Sequence, residues 1–373
     1  MGQVKRKERE GMKKGTKKWM AVIFCLTLLF CMTACQKEDT SKTGADVPEV
    51  TTTTAPTGDE VATPEPTAEP TAEPTKEPTK APEPTAVPEH VPAKLETNGV
   101  PQEYKKFNKE YAGRVVEIEY PTYSYADTKE PITKPAYVLL PPKYDETKQY
   151  NVLYLMHGVG GDPHEWKITS VFDGIRCAMD NLMYYGEAEQ FIIVVPYGRS
   201  SANYADKSMA NMGTFYSFGQ ELRNDLIPYI DANYATYAEF DENGYDLTAA
   251  RDHRAMAGLS MGGMQTINIG IGECLDIISY FGAFSAAPTS NTAAVTAEKL
   301  AAFEGYDVNY FYNICGTSDG TALASASAAV NGLDELTDKI TDGENFMWQT
   351  VPGGHDHNVW HLGLYNFAQL VFK

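Results

Sequence analysis

The run Asn151-Val152-Leu153-Tyr154-Leu155-Met156 offers no wet face to a strand. A half-exposed strand alternates polar and apolar positions, so this one reads as a central strand covered on both sides. Residues 191–195 repeat the pattern, and further strands are expected at 114–120, at 136–140 before Pro141-Pro142, and at 278–284, 310–315 and 346–351. Helical spacing falls between them, at 171–185, 219–234 despite Pro228, 322–340 and 359–372, while 196–215 is a long polar loop. Strand and helix alternate throughout. The alternation predicts an α/β domain with a mostly parallel sheet and helices on both faces, whose ligand site lies beyond the carboxyl ends of the strands.

The segments just past those ends carry the chemistry. After 151–156 comes His157-Gly158-Val159-Gly160-Gly161, and after 253–257 comes Gly258-Leu259-Ser260-Met261-Gly262. Past 310–315 lies Gly316-Thr317-Ser318-Asp319, and past 346–351 lies Pro352-Gly353-Gly354-His355. A serine between glycines at a strand-to-helix turn is a nucleophile elbow, and Ser, Asp, His is the chain order of an α/β-hydrolase triad. A serine hydroxyl is a poor nucleophile near neutral pH, so His355 is expected to take its proton and Asp319 to hold the imidazole in the right tautomer. The N–H groups of Val159 and Met261 are expected to bind the oxyanion.

These four motifs, with Asn358-Val359-Trp360, resemble those of esterase D-type α/β-hydrolases, closest to the bacterial feruloyl esterase domains of carbohydrate esterase family 1. The resemblance runs from about Pro101 to Phe372. It implies an α/β-hydrolase fold and cleavage of hydroxycinnamoyl esters from plant xylan, with Ser260, Asp319 and His355 as the matching triad. Such domains are often fused to xylanase or carbohydrate-binding modules, which this sequence does not show.

Competing assignments follow from the same residues. Asp356 adjoins His355, but neighbours on a turn point apart. His355, His357 and His361 have no carboxylate or cysteine at ligand spacing, so neither a metal nor another cofactor is expected. His157 is expected to orient its own loop. Trp166, Tyr197 and Trp360 are candidates for stacking on an aromatic acyl group. Acetylxylan esterase, siderophore-type esterase and acyltransferase, as in the related mycolyltransferases, would use the same triad. A carbohydrate-binding lipoprotein with a dead hydrolase fold is the reading from another class, and an intact Ser260, Asp319 and His355 argue against it.

Ahead of the domain the composition changes. Residues 1–20 are rich in Lys and Arg, and an uncharged apolar run follows from Trp19 to Ala34, shorter than the roughly 20 residues a spanning helix needs. Met32-Thr33-Ala34-Cys35 closes it like the lipobox of a bacterial lipoprotein, although Met stands where Leu is usual. Residues 1–35 are therefore expected to be a signal segment with Cys35 as the lipid attachment site. Residues 36–95 repeat Pro every fourth position from Pro66 to Pro82 and hold almost nothing for a core, so they read as a disordered spacer. The esterase domain is expected over 96–373, with the whole tethered at the outer face of a bacterial membrane, or secreted, and acting on acylated plant polysaccharide. Of six cysteines, Cys177, Cys274 and Cys315 fall in this domain and read as buried thiols. A net charge of -19 argues against nucleic acid as a partner.

Overall fold

The computed structural model describes residues 94–242 and 244–373. The signal segment, Cys35 and all but the last two residues of the spacer lie outside the described residues. The strands are β1 (Arg114–Tyr123), β2 (Pro131–Leu140), β3 (Asn151–Met156), β4 (Phe191–Pro196), β5 (Phe240–Asp241), β6 (Gly244–Tyr245), β7 (Arg254–Leu259), β8 (Tyr280–Phe284), β9 (Tyr310–Gly316) and β10 (Phe346–Val351). The helices are α1 (Gly174–Tyr185), α2 (Phe218–Glu221), α3 (Ile227–Asn233), α4 (Met261–Gln265), α5 (Ala293–Leu300), α6 (Leu323–Ala328), α7 (Leu333–Leu336) and α8 (His357–Ala368).

Eight strands form one sheet in the order β1-β2-β4-β3-β7-β8-β9-β10, and β5 pairs only with β6. All pairs from β4 to β10 are parallel, while β2 runs antiparallel to both β1 and β4. This is the α/β-hydrolase architecture expected from the sequence. Every residue of β3, β4, β7 and β8 is buried, because helices cover both faces of the sheet. One core face gathers Val152, Tyr154, Met156, Phe218 and Ile267. The other gathers Leu153, Leu155, Ile193, Trp166 and the apolar side of α8.

Parallel pairing brings the carboxyl ends of six strands to one edge, and the hydrogen-bond ladder continues past them. Ser260 donates its N–H to Phe284 O at 2.9 Å, Ser285 to Ile314 O at 2.8 Å and Thr317 to Val351 O at 2.8 Å. The loops after β7, β8 and β9 are thereby tied to the strand beside each.

Two helices depart from expectation. The helix predicted over 322–340 is two short ones, α6 and α7, separated by Gly332 at φ 69, a left-handed position that favours glycine and ends a helix. The helix predicted over 219–234 widens into a π turn at Leu222–Leu226 before α3. Pro228 has no N–H to donate and its ring crowds the carbonyl four residues back, which the wider turn relieves.

The three cysteines of the domain are buried and free, as expected. Burial pushes the Cys274 and Cys315 thiols up to about 12. Among the described residues no helix is long and apolar enough to cross a membrane.

Buried charge is concentrated in a few pairs. Lys134 Nζ meets Glu221 Oε1 at 2.6 Å with both side chains fully buried. Arg254 meets Asp231 at 2.6 Å under the amino end of β7.

Candidate active site

Ser260 sits between β7 and α4 with φ 51 and ψ -113, a conformation that costs an L-residue on the order of 1–3 kcal/mol and survives only where its surroundings impose it. They do so at both flanks. A Cβ on Gly258 would lie 2.5 Å from the carbonyl carbon of Gly262, and one on Gly262 would lie 2.5 Å from Met156 O. The serine's own carbonyl accepts from Met264 N–H at 3.0 Å and Ala287 N–H at 2.9 Å. Gly262→Ala should therefore cost about 1–3 kcal/mol, the usual penalty of overpacking, because main-chain atoms of β3 cannot swing aside as a side chain would. Urea denaturation checks this, and a midpoint equal to wild type would mean the turn has more room than its geometry shows.

Beyond the elbow the predicted trio comes together. His355 Nε2 lies 3.0 Å from Ser260 Oγ, and His355 Nδ1 lies 2.9 Å from Asp319 Oδ2. An ionised carboxylate only accepts, so Nδ1 carries the ring proton and the Nε2 lone pair faces the hydroxyl. Asp319 Oδ1 accepts from the N–H groups of Thr321 at 3.0 Å and Ala322 at 2.8 Å. Burial pushes the Asp319 carboxyl up, but the Ala322 N–H, the His355 ring and the Ser285 hydroxyl together outweigh it and hold the group below the usual carboxylate range. The Cys315 thiol rests against Asp319 Oδ2, the oxygen that faces His355, at 3.5 Å. Asp356 does something else: it caps α8 by accepting from Asn358 N–H at 2.9 Å, and its other oxygen accepts from Gly354 N–H at 3.0 Å. It thus shapes the turn that carries His355.

The glycine-rich loop after β3 lies against the serine, with a Cβ placed on Gly158 coming 3.4 Å from Ser260 Cβ. Gly158 N–H is spent on Glu165 Oε2 at 2.7 Å, which leaves the next N–H, that of Val159, as the loop's candidate donor. Met261 opens α4, where a first-turn N–H has no partner within the helix. Val159 and Met212 pack on Met261, Met264, Phe215 and Ala287, so the donors border an apolar patch. His157 accepts from Gly198 N–H at Nε2, 3.0 Å away, and Nδ1 lies 2.7 Å from Gly158 O. Burial pushes it down to about 3, so it stays neutral and orients the loop.

The three aromatic candidates separate. Trp166 is fully buried, donates Nε1–H to Met156 O at 2.9 Å and sits edge-on to Phe284. This corrects the expectation of a stacking contact: an indole that follows the glycine loop by a single helical turn is pulled into the core, where β3 supplies its acceptor. Trp360 is 6% exposed and packs edge-to-face on the His355 ring at 5.1 Å, which makes it a wall of the histidine rather than a platform. Tyr197 is half-buried against Tyr204. Among the described residues no group of three or more His, Cys, Asp and Glu is placed to hold a metal ion. His361 instead stacks on Trp166 and is pushed down to about 3, chiefly by burial.

Several residues at this edge escape sequence reasoning: Glu165 under the glycine loop, Ser285 at φ 48 beside Asp319, and Arg199 just past β4. A charged residue three positions past a fully apolar strand was the available signal for Arg199, obscured by the polar loop around it.

Known proteins share this arrangement of elements. The endo-1,4-beta-xylanase/feruloyl esterase of Xylanibacter ruminicola is 34% identical over 236 residues, 61% of this chain and 27% of that protein. Endo-1,4-beta-xylanase Y of Acetivibrio thermocellus is 31% identical over 234 residues, 59% of this chain and 20% of that protein. The chain thus spans about a fifth to a quarter of the length of these relatives. Among solved structures, a feruloyl esterase module from Clostridium thermocellum complexed with sinapinate superposes with a TM-score of 0.59 at 26% identity, covering 75% of this chain and 96% of that one. The Esterase family model matches residues 132–364, from β2 through His355 into α8, and the chain belongs to that family.

Proposed function

We propose that this protein is a serine carboxylesterase that cleaves hydroxycinnamoyl esters, feruloyl above all, from plant xylan. The observation that carries the reading is the hydroxyl-to-imidazole-to-carboxylate relay of Ser260, His355 and Asp319 at 3.0 and 2.9 Å; the named activity of the Xylanibacter relative supports the acyl group. In this mechanism His355 Nε2 removes the Ser260 proton as Oγ attacks the ester carbonyl. The oxygen that becomes negative turns toward the Val159 and Met261 N–H groups. The imidazolium, held by Asp319, then protonates the leaving sugar alcohol, and water repeats the cycle on the acyl-enzyme. The apolar patch of Val159, Met212 and Met261 borders the carbonyl and suits a flat, largely apolar acyl group.

The N-terminal sequence adds an address to this proposal. A basic segment, an apolar run and Cys35 support export and lipid attachment at the outer face of a bacterial membrane. An esterase on such a tether would meet polysaccharide outside the cell.

The test is a panel of methyl ferulate, methyl p-coumarate, acetylated xylan and a short-chain nitrophenyl ester, read as relative kcat/KM. Ferulate should lead the simple acetyl substrates by about 10-fold or more, since even one methylene in an apolar pocket is worth roughly 10–200-fold. Acetate release outpacing ferulate release would move the assignment to acetylxylan esterase.

A further inference from the structure

We propose that Arg199 is a positioning residue for the oxyanion site: it fixes the peptide plane that follows Val159 and so holds the glycine loop in its donor geometry. The inference rests on the esterase reading above and goes beyond it. Arg199 is fully buried. Its Nη2 donates to Val159 O and its Nη1 donates to Gly161 O at 3.1 Å, while the guanidinium lies 4.8 Å from the centre of the Phe215 ring. Both terminal nitrogens are thus committed to main-chain carbonyls of one loop. Burying a guanidinium on neutral acceptors is costly, and a cost of that kind needs something that depends on it.

What depends on it is the exposed tip of a glycine-rich turn whose flanks, Gly158 and Gly161, are buried. Gly160 is exposed, and a Cβ placed there would meet nothing within 4 Å. Glycine-rich backbone has many conformations to lose, so an N–H donor within it is ordered only if its neighbours are held. Peptide geometry shows how they are held. In a trans peptide the C=O and the following N–H point in opposite directions. His157 Nδ1–H engages Gly158 O at 2.7 Å, which turns Val159 N–H the other way. Arg199 engages Val159 O, which does the same to Gly160 N–H. Both planes flanking Val159 are therefore gripped through their carbonyls, leaving the N–H groups free to face a substrate.

The grip is firm because its base is firm. Lys134 Nζ donates to Tyr197 O at 3.1 Å and Arg199 O at 2.8 Å, Gln265 Nε2 donates to Gly198 O at 2.8 Å, and the Ser200 hydroxyl donates to Glu221 Oε2 at 2.7 Å. Arg199 thus projects from a segment anchored to β2, to the helical stretch after β4 and to the elbow helix. Such preorganised donors cost no reorganisation when charge develops on the carbonyl oxygen.

The test compares wild type with Arg199→Met and Arg199→Lys, using a nitrophenyl ester, a trifluoromethyl ketone that forms a tetrahedral adduct, and free ferulate. In Arg199→Met, kcat should fall about 10–100-fold, somewhat less than the loss of an oxyanion donor itself, with KM within about threefold. The inhibition constant of the ketone should rise by the same factor as kcat falls, and that of ferulate should hold. Arg199→Lys keeps the charge over Phe215 but not the fork, and should lie between the two. A folded Arg199→Met with wild-type kcat, or with its loss confined to KM, overturns the proposal. Should Arg199→Met not fold, Arg199→Lys decides, and wild-type kcat and ketone affinity in that variant overturn it equally. Failure of the esterase reading looks different, because wild type itself would then cleave no ester in the panel.

Discussion

Ser260→Ala is expected to lower kcat for ester cleavage by about 10⁶-fold while leaving the urea midpoint close to that of wild type. The magnitude is that of removing the nucleophile from a relay that acts as a unit. Deleting the hydroxyl strands His355 with no proton to take, so the remaining members cannot compensate. The stability half of the expectation comes from the elbow. The strain is in the main chain, at φ 51 and ψ -113, and alanine suffers it as serine does. The lost Oγ has one protein partner, His355 Nε2 at 3.0 Å, on a ring that can turn to water instead. Steady-state kinetics on the nitrophenyl ester and labelling by a serine-directed phosphonate check the first half, and urea denaturation the second. Retained activity in this variant would remove the nucleophile assignment outright.

Glu221→Gln should produce the largest loss of stability, about 3–5 kcal/mol, the cost of leaving one member of a buried ion pair behind. Glu221 and Lys134 are both fully buried at 2.6 Å. The carboxylate also accepts from Tyr120 OH at 2.5 Å and from the Ser200 hydroxyl at 2.7 Å, so an amide in its place brings donors where acceptors are needed. Lys134 would keep its bonds to Tyr197 O and Arg199 O but lose its counter-charge. The double variant Lys134→Met with Glu221→Leu should recover a substantial part of the loss, because a matched apolar pair escapes the desolvation of two charges. Urea denaturation of the three variants decides. A double variant no better than Glu221→Gln would mean that the site is held by shape rather than by charge.

Much of this was legible in the sequence, for identifiable reasons. The β4 run is apolar at every position and the β3 run at every position after Asn151, because both sheet faces are covered, and that pattern survives without any knowledge of partners. Ser260, Asp319 and His355 were legible because each stands within a few residues of a strand end, so reading the strands located the edge and reading the edge located the residues. Distant pairing was not legible. Lys134 finds Glu221 at the end of the short helix that opens the chain's return to the sheet, and Arg199 reaches carbonyls of the preceding crossover; neither leaves a local period. Trp166 misled for the same reason, since its acceptor on β3 is a main-chain oxygen that no side-chain pattern announces. Residues 322–340 misled differently: the apolar spacing suits one long helix, but Gly332 at positive φ divides it and extended Thr337 ends it.

The ladder bonds that run past the strand ends have a consequence for how the molecule comes to be active. Ser260 is tied to β8, Ser285 to β9 and Thr317 to β10, so the hydroxyl, its histidine and its carboxylate meet only when four neighbouring strands share the right register. A slip of one residue in any pair would turn each side chain to the opposite face of the sheet. Recovery of phosphonate labelling after dilution from urea therefore counts chains whose central sheet has registered, and it should trail the return of secondary structure.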